Sequence, residues 1–209
     1  ALLKVLDDLY RIVDRKSAAV LIGLDLSAAF DTINHSTLLQ RIQHTFGIAG
    51  TAHQWLESYL GNRTQYVQVG STQSVPSSVV VGVPQGSVLG PFLFSIYISP
   101  IADVIASFGV KHHQYADDTQ LYTAVKSGSD THSIHNLESC CCAVRDWFAR
   151  NGMLLNPDKS EVLLIARKSV AQTFADGSGV SVAGSNITFS VKLKSLGVTL
   201  DQALSFDQH

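Results

Sequence analysis

Three carboxylates stand where the chain could assemble a cation site. Asp25 closes the apolar run Ala19–Leu24, and Asp117 with Asp118 separates two β-prone stretches, Gln114–Ala116 and Thr119–Val125. Taken singly, each reads as a turn or helix-start aspartate whose side chain bonds nearby backbone N–H groups. If the two stretches are neighbours in one sheet, the carboxylates converge at its edge. Like charges that close repel strongly unless a cation neutralises them. Donors that are all oxygen suit Mg²⁺ or Mn²⁺, which keep waters and take further ligands from phosphates. Two such ions about 4 Å apart would clamp the attacking and leaving oxygens of a phosphoryl transfer.

The elements that must position these residues can be read from periodicity. Leu2, Leu3, Leu6, Leu9, Ile12 and Val13 recur at helical spacing, which predicts an amphipathic helix ending near Asp14-Arg15-Lys16. Ala19–Leu24 is short, continuous and apolar, as in a strand buried on both faces. Two helices follow, one with Leu38, Leu39, Ile42 and Phe46 stopping at Gly47, the other with Trp55, Leu56 and Tyr59 stopping at Gly61. Thr64–Val69 and Ser78–Val81 read as a hairpin-like pair joined by a loop. After the Gly82–Gly86 turn an apolar helix spans 88–106, and Pro100 should kink or split it. A long helix carrying Ile134, Leu137, Val144, Trp147 and Phe148 runs to Gly152, and Glu161–Ile165 is a further strand. Residues 168–185, rich in Ser, Gly and Ala, read as a flexible loop, and two short strands near 187–191 and 194–200 follow.

Composition narrows the class. The 209 residues are 45% hydrophobic and 15% charged, with 15 basic against 17 acidic side chains and a net charge of −2. Such a chain can bury a real core and reads as one domain rather than as disorder. No apolar run reaches the roughly 18 uncharged residues of a membrane span, and no signal-peptide layout opens the chain. The expectation is a soluble intracellular protein with no membrane partner. Cys140, Cys141 and Cys142 are neighbours, so they read as reduced thiols along a helix rather than as staples or zinc ligands. The chain opens on Ala1 and its one methionine is Met153, which points to a piece of a longer protein.

Five segments stand in order: Leu24-Asp-Leu-Ser-Ala-Ala-Phe-Asp-Thr-Ile-Asn-His35, Gly82-Val-Pro-Gln-Gly-Ser-Val-Leu-Gly-Pro91, Tyr115-Ala-Asp-Asp118, Gly152-Met-Leu-Leu-Asn-Pro-Asp-Lys-Ser160 and Leu196-Gly-Val198. Their order and spacing resemble motifs A to E of reverse transcriptases, most closely those of non-LTR (LINE-type) retrotransposons. The resemblance implies an α+β fold, a right-hand polymerase palm whose antiparallel sheet is backed by helices, with part of the fingers inserted between motifs A and B. It covers residues 1–209 as one domain and places the upstream fingertips, thumb and endonuclease in the remainder of a parent polyprotein.

The resemblance also implies roles. Asp25, Asp117 and Asp118 match the metal-binding and catalytic acids for two Mg²⁺, with Mn²⁺ as a substitute. Phe30, five residues past Asp25, matches the bulky residue that crowds the sugar 2′ position; the alternative is plain core packing, which suits an isolated Phe better than one at this spacing. Gln85 and Gly86 match the turn against the incoming nucleotide and template, or a simple turn before a helix. Tyr115 would belong to the same substrate-binding set. Lys159 matches a lysine that donates a proton or neutralises charge at departing pyrophosphate, against a solvated surface lysine. Leu196 and Gly197 match a hairpin that holds the primer end. The partners implied are an RNA template, a DNA primer and dNTPs, in a nuclear or cytoplasmic ribonucleoprotein. Ser99-Pro100 departs from the more polar pair expected there, and His112-His113 reads as an exposed edge-strand pair rather than a metal site. Two rivals stand beside a working polymerase: an inert retroelement remnant, and a nucleic-acid-binding module without chemistry, which the acidic balance disfavours.

Overall fold

The computed structural model describes residues 2–27, 29–175 and 177–205. In chain order the elements are α1 (Leu2–Asp14), β1 (Ala18–Leu24), β2 (Leu26–Ser27), a 3-10 turn (Ala29–Asp31), α2 (His35–His44), α3 (Gly50–Leu60), β3 (Arg63–Gln65), β4 (Gln68–Val69), β5 (Thr72–Gln73), β6 (Ser77–Val79), α4 (Gly90–Ile98), α5 (Ile101–Ser107), β7 (Lys111–Tyr115), β8 (Asp118–Val125), α6 (Thr131–Arg150), β9 (Leu154–Leu155), a 3-10 turn (Pro157–Lys159), β10 (Glu161–Ile165), α7 (Lys168–Ala171), β11 (Gly179–Val182), β12 (Ser185–Thr188), β13 (Lys192–Ser195) and β14 (Val198–Asp201). They form two compact units, one of residues 1–27, 100–150 and 154–209, the other of residues 28–99 and 151–153.

The larger unit is built on an antiparallel sheet in the order β10-β1-β8-β7. An uninterrupted apolar strand is stable only where both faces are covered, and β1 occupies such a place between β10 and β8. On one face Ala19, Leu21, Tyr122, Leu163 and Ile165 pack with Val5 and Leu9 of α1 and with Leu193 and Leu200 of the β13–β14 hairpin. The α5 and α6 helices pack on β7 and β8, and Leu137, Cys140, Cys141, Val144 and Phe148 of α6 are buried. All three cysteines are free, and burial pushes the Cys140 thiol up to about 11, so it stays a thiol.

The described residues of the stretch 168–185 are not loop throughout. They hold α7 and β11, which pairs with β12 and buries Val180 and Val182 completely, and Glu138 of α6 accepts from the Ser181 N–H at 2.9 Å. A Val-Ser-Val alternation is too short to rise above its Gly- and Ser-rich surroundings, and the turn Ala183–Gly184, with both φ positive, is what pairs the strands. The strand expected over 194–200 is likewise a hairpin, β13–β14, turning at Leu196–Gly197. His112 and His113 do lie on the edge strand β7, but they are half-buried rather than exposed, and burial lowers both imidazoles.

In the smaller unit Asn34 caps α2 by accepting from the Thr37 N–H at 3.0 Å. The α4 helix is hydrophobic all round, with Leu93, Phe94, Ile96, Tyr97 and Ile98 buried. Arg41 of α2 lays its guanidinium 4.6 Å from the Tyr97 ring centroid and bonds the Tyr97 carbonyl and the Asn151 side chain. The segment after α3 is two nested hairpins, β3 with β6 and β4 with β5, in place of one pair around a loop. The α3 stripe is less buried than its periodicity suggests: Trp55 is 56% exposed and stacks on Tyr59 at 5.5 Å.

Among the described residues, Gly90–Ser107 does reach the length and apolar composition of a membrane span. Its backbone does not continue as one helix. It breaks at Ser99-Pro100 into α4 and α5, of nine and seven residues, each well short of the roughly 20 a span needs.

Candidate active site

The antiparallel register sets the site. Leu24 pairs with Thr119, so Asp25, the next residue, leaves β1 beside the start of β8 at Asp118. The β7–β8 hairpin closes with Tyr115 opposite Asp118, leaving Ala116 and Asp117 as its two-residue turn. Only Ala116 of these two has positive φ, at 53°, the pattern of a type II′ turn, in which glycine is the usual first residue. The conditional reading of the sequence is met: the two carboxylate-bearing strands are neighbours.

Asp25, Asp118 and Lys159 line one shallow cavity of about 130 Å³ at this end of the sheet, with Glu161 and Lys194 on its wall. Burial, then the charges of Asp117 and Asp25, hold the Asp118 carboxyl above the usual carboxylate range. The backbone of Asp25 is held from both sides. Its carbonyl accepts from Asn156 N–H at 2.9 Å and its N–H donates to Ser160 Oγ at 3.3 Å, while Ser160 Oγ donates to the Asn156 carbonyl at 2.8 Å. Pairing of β2 with β9 continues this clamp. Thus Asn156-Pro-Asp-Lys-Ser160 both delivers Lys159 and fixes Asp25. The roles of Asn156 and Ser160 escaped the sequence reading, although an Asn-Pro turn closing on a serine is a visible cue.

The carboxylates fit a divalent ion that keeps waters and takes phosphate oxygens. Their donors are all oxygen, and Asp118 is electrostatically coupled to its two neighbours. Among the described residues no three His, Cys, Asp or Glu side chains are gathered to hold an ion unaided. Mg²⁺ characteristically needs only one or two carboxylates from the protein. Tyr115 is 60% exposed and is not among the residues lining the cavity.

Phe30, Gln85 and Gly86 belong to the smaller unit. The Phe30 ring packs tilted against Phe94 at 4.8 Å, and its carbonyl accepts from Val83 N–H at 2.9 Å. Gln85 donates to both Asp31 oxygens, at 2.9 and 3.1 Å, and His35 Nε2 lies 2.7 Å from the Gly82 carbonyl. Gly82 can only be glycine: its φ is +85°, and a Cβ there would stand 2.9 Å from the Asp31 carbonyl oxygen. Gly86, at φ +75°, faces open space. Asp31, Arg63 and Gln85 line a groove of about 600 Å³ in this unit.

Comparison with known proteins places these features. The family model for reverse transcriptase (RNA-dependent DNA polymerase) matches residues 4–200. The RNA-directed DNA polymerase from mobile element jockey of Drosophila melanogaster is 32% identical over 203 residues, covering 94% of this chain and 21% of that protein. The probable RNA-directed DNA polymerase from transposon BS of the same species is 27% identical over 201 residues, covering 94% and 21%. The chain therefore spans about a fifth of the length of these curated relatives. Among solved structures, apo telomerase from Candida tropicalis, truncated from its C-terminal domain, shares the fold with a TM-score of 0.62 at 14% identity, covering 99% of this chain and 39% of that one. With the family model matched from α1 to β14 and relatives of this kind, the chain belongs to the reverse transcriptase family, in the branch of non-LTR, LINE-type mobile elements.

Proposed function

We propose that the parent protein is an RNA-directed DNA polymerase and that this chain supplies its palm catalytic centre, with part of the fingers. The observation that carries the reading is the cavity at the end of the sheet where Asp25, Asp118 and Lys159 meet. Asp25, Asp117 and Asp118 would hold two Mg²⁺ ions, with Mn²⁺ as a substitute. When bound, the metal offsets the repulsion among the carboxylates and neutralises phosphate charge. The clamp from Asn156 and Ser160 holds Asp25 in place before substrate arrives, which lowers the reorganisation needed at the reacting centre. Lys159 stands to neutralise or protonate departing pyrophosphate. Phe30 would crowd the sugar 2′ position, and Gln85 with Gly86 would lie against nucleotide and template. The partners are an RNA template, a DNA primer, dNTPs and the rest of the polyprotein, in a nuclear or cytoplasmic ribonucleoprotein.

The test is extension of a DNA primer on an RNA template by the full-length parent, titrated with Mg²⁺ and Mn²⁺. Metal-dependent incorporation that Asp25→Asn and Asp118→Asn abolish is expected. Extension at the normal rate by either folded variant would overturn the assignment.

A further inference from the structure

In the smaller unit, the stretch before α2 and the loop before α4 are laced together by their backbones. Gly82 N–H donates to the Ile33 carbonyl at 2.8 Å and Val83 N–H to the Phe30 carbonyl at 2.9 Å, while Asn34 bridges to Val81. His35 Nε2 adds its bond to the Gly82 carbonyl. Past this lacing the loop closes on itself, where Ser87 N–H and Ser87 Oγ both donate to the Pro84 carbonyl, at 3.3 and 2.7 Å. With Gly86 at φ +75°, this is the pattern of a type II turn, and Gln85 is its first corner residue. The backbone thus fixes where the Gln85 side chain starts, but not which way round its carboxamide lies.

Asp31 decides that. A carboxylate offers only acceptors, whereas a carboxamide carries donors on its nitrogen and accepts on its oxygen. Gln85 Nε2 reaches both Asp31 oxygens, at 2.9 and 3.1 Å, and among the described residues no other group bonds this side chain. The nitrogen is therefore committed and the oxygen is left to a ligand. Turning the amide over would set oxygen against oxygen with no proton to share. Asp31 and Gln85 both line the groove of this unit, and the cation on the same wall, Arg63, is engaged elsewhere. Its guanidinium lies 5.3 Å from the Tyr59 ring centroid and donates to the Tyr59 carbonyl at 3.1 Å.

We propose that Asp31 is a positioning residue, which locks Gln85 so that its side chain meets the occupant of the groove with the carbonyl oxygen alone. Gln85 is thereby set to accept from a hydroxyl or amino group and not to donate to a phosphate oxygen. Holding the acceptor in place beforehand lowers the ordering cost that a freely rotating glutamine would incur on binding. That the occupant is a nucleotide rests on the polymerase reading, whereas the lock between Asp31 and Gln85 does not.

Two experiments separate these claims. In ¹⁵N relaxation of the 209-residue chain, the Gln85 Nε2 group should be ordered, unlike that of the exposed Gln40, and Asp31→Ala should release it. An Nε2 as mobile as that of Gln40, or one whose order survives Asp31→Ala, would overturn the lock. In the full-length parent, Gln85→Met should raise KM for dNTP about fivefold, the equivalent of one net hydrogen bond. Asp31→Ala should raise it about threefold, because the released glutamine is still recruited after ordering. In both, kcat and KM for primer–template should change little, whereas a collapsed loop would move all three. Added to Gln85→Met, Asp31→Ala should have no further effect. An equal rise in that background would show Asp31 acting on its own, and an unchanged KM for dNTP in Asp31→Ala would remove the positioning role. Either result overturns the proposal. A parent that extends no primer would instead overturn the polymerase reading and the nucleotide clause with it, leaving the lock to the relaxation result.

Discussion

The residues at the end of the sheet divide into those that would act on substrate and those that hold them. Asp117 sits in a hairpin turn outside the buried core, so Asp117→Asn should leave the fold intact while lowering polymerisation by the full-length parent by orders of magnitude. Near-normal incorporation would make it a turn residue only. Phe30→Ala separates two roles, since the ring packs on Phe94 and is also proposed to exclude a 2′-hydroxyl. Loss of sugar discrimination in a folded variant is expected, and unchanged discrimination would assign the ring to packing. Gly82→Ala meets both a left-handed φ and a carbonyl oxygen at 2.9 Å. It should cost about 1–3 kcal/mol in urea unfolding, and an unchanged midpoint would show that the loop yields freely.

At the scale of elements, two hairpins flank the carboxylates and both turn through residues that geometry disfavours. Ala116 has φ of 53° and Leu196 of 48°, where glycine or asparagine would sit without strain. Strain of this kind persists where the surroundings or a function hold it. Leu196→Asn should therefore stabilise the chain by up to about 1 kcal/mol while weakening primer binding by the full-length parent. Stabilisation with unaltered binding would deny the turn a role in holding the primer.

The packing of α1 on β7 and β8 carries a pH signature. Asp8 accepts from Lys111 at 2.6 Å and from Tyr122 at 2.8 Å, and the bond from Lys111 first of all holds its carboxyl below the usual value of 3.8. His112 and His113 lie below 6.5 because they are buried. In each case the unfolded chain takes up its proton at a higher pH than the folded one. Stability should thus fall as pH drops below about 6.5 through the histidines, and again below about 4 through Asp8. Urea midpoints from pH 8 to 3 would check this, with His112→Gln flattening the first decline and Lys111→Met the second. A midpoint insensitive to pH between 7 and 5 would refute the histidine assignment.

For the whole molecule, charge decides more than shape. Affinity for nucleic acid comes largely from Lys and Arg on phosphates, and this chain has 15 basic against 17 acidic side chains. The 209 residues alone should bind primer–template weakly and with steep salt dependence in a fluorescence anisotropy titration, and should synthesise little DNA. Tight, salt-insensitive binding or processive extension by this chain would show that its own surface suffices.

Motif order, the apolar β1 run and the helical stripe of α1 are local properties, and each was legible in the residues. The family, the antiparallel palm and the identity of Asp25, Asp117, Asp118 and Lys159 as candidates followed from them. The break at Pro100 was also legible, because a ring without an N–H interrupts a helix wherever it stands. What lay beyond the sequence depends on pairing between distant strands. Register puts Asp25 beside Asp118, pairing of the strands on either side brings Ser160 and Asn156 onto the backbone of Asp25, and packing of the β13–β14 hairpin on the sheet lays Ser195 on Gln120. The β11–β12 hairpin hid for the same reason: four residues with two valines have no periodicity until α6 offers them a surface. Polar residues such as Gln120 and Ser160 look like exposed strand and loop positions in the chain, and only tertiary packing buries them and so demands that each be bonded.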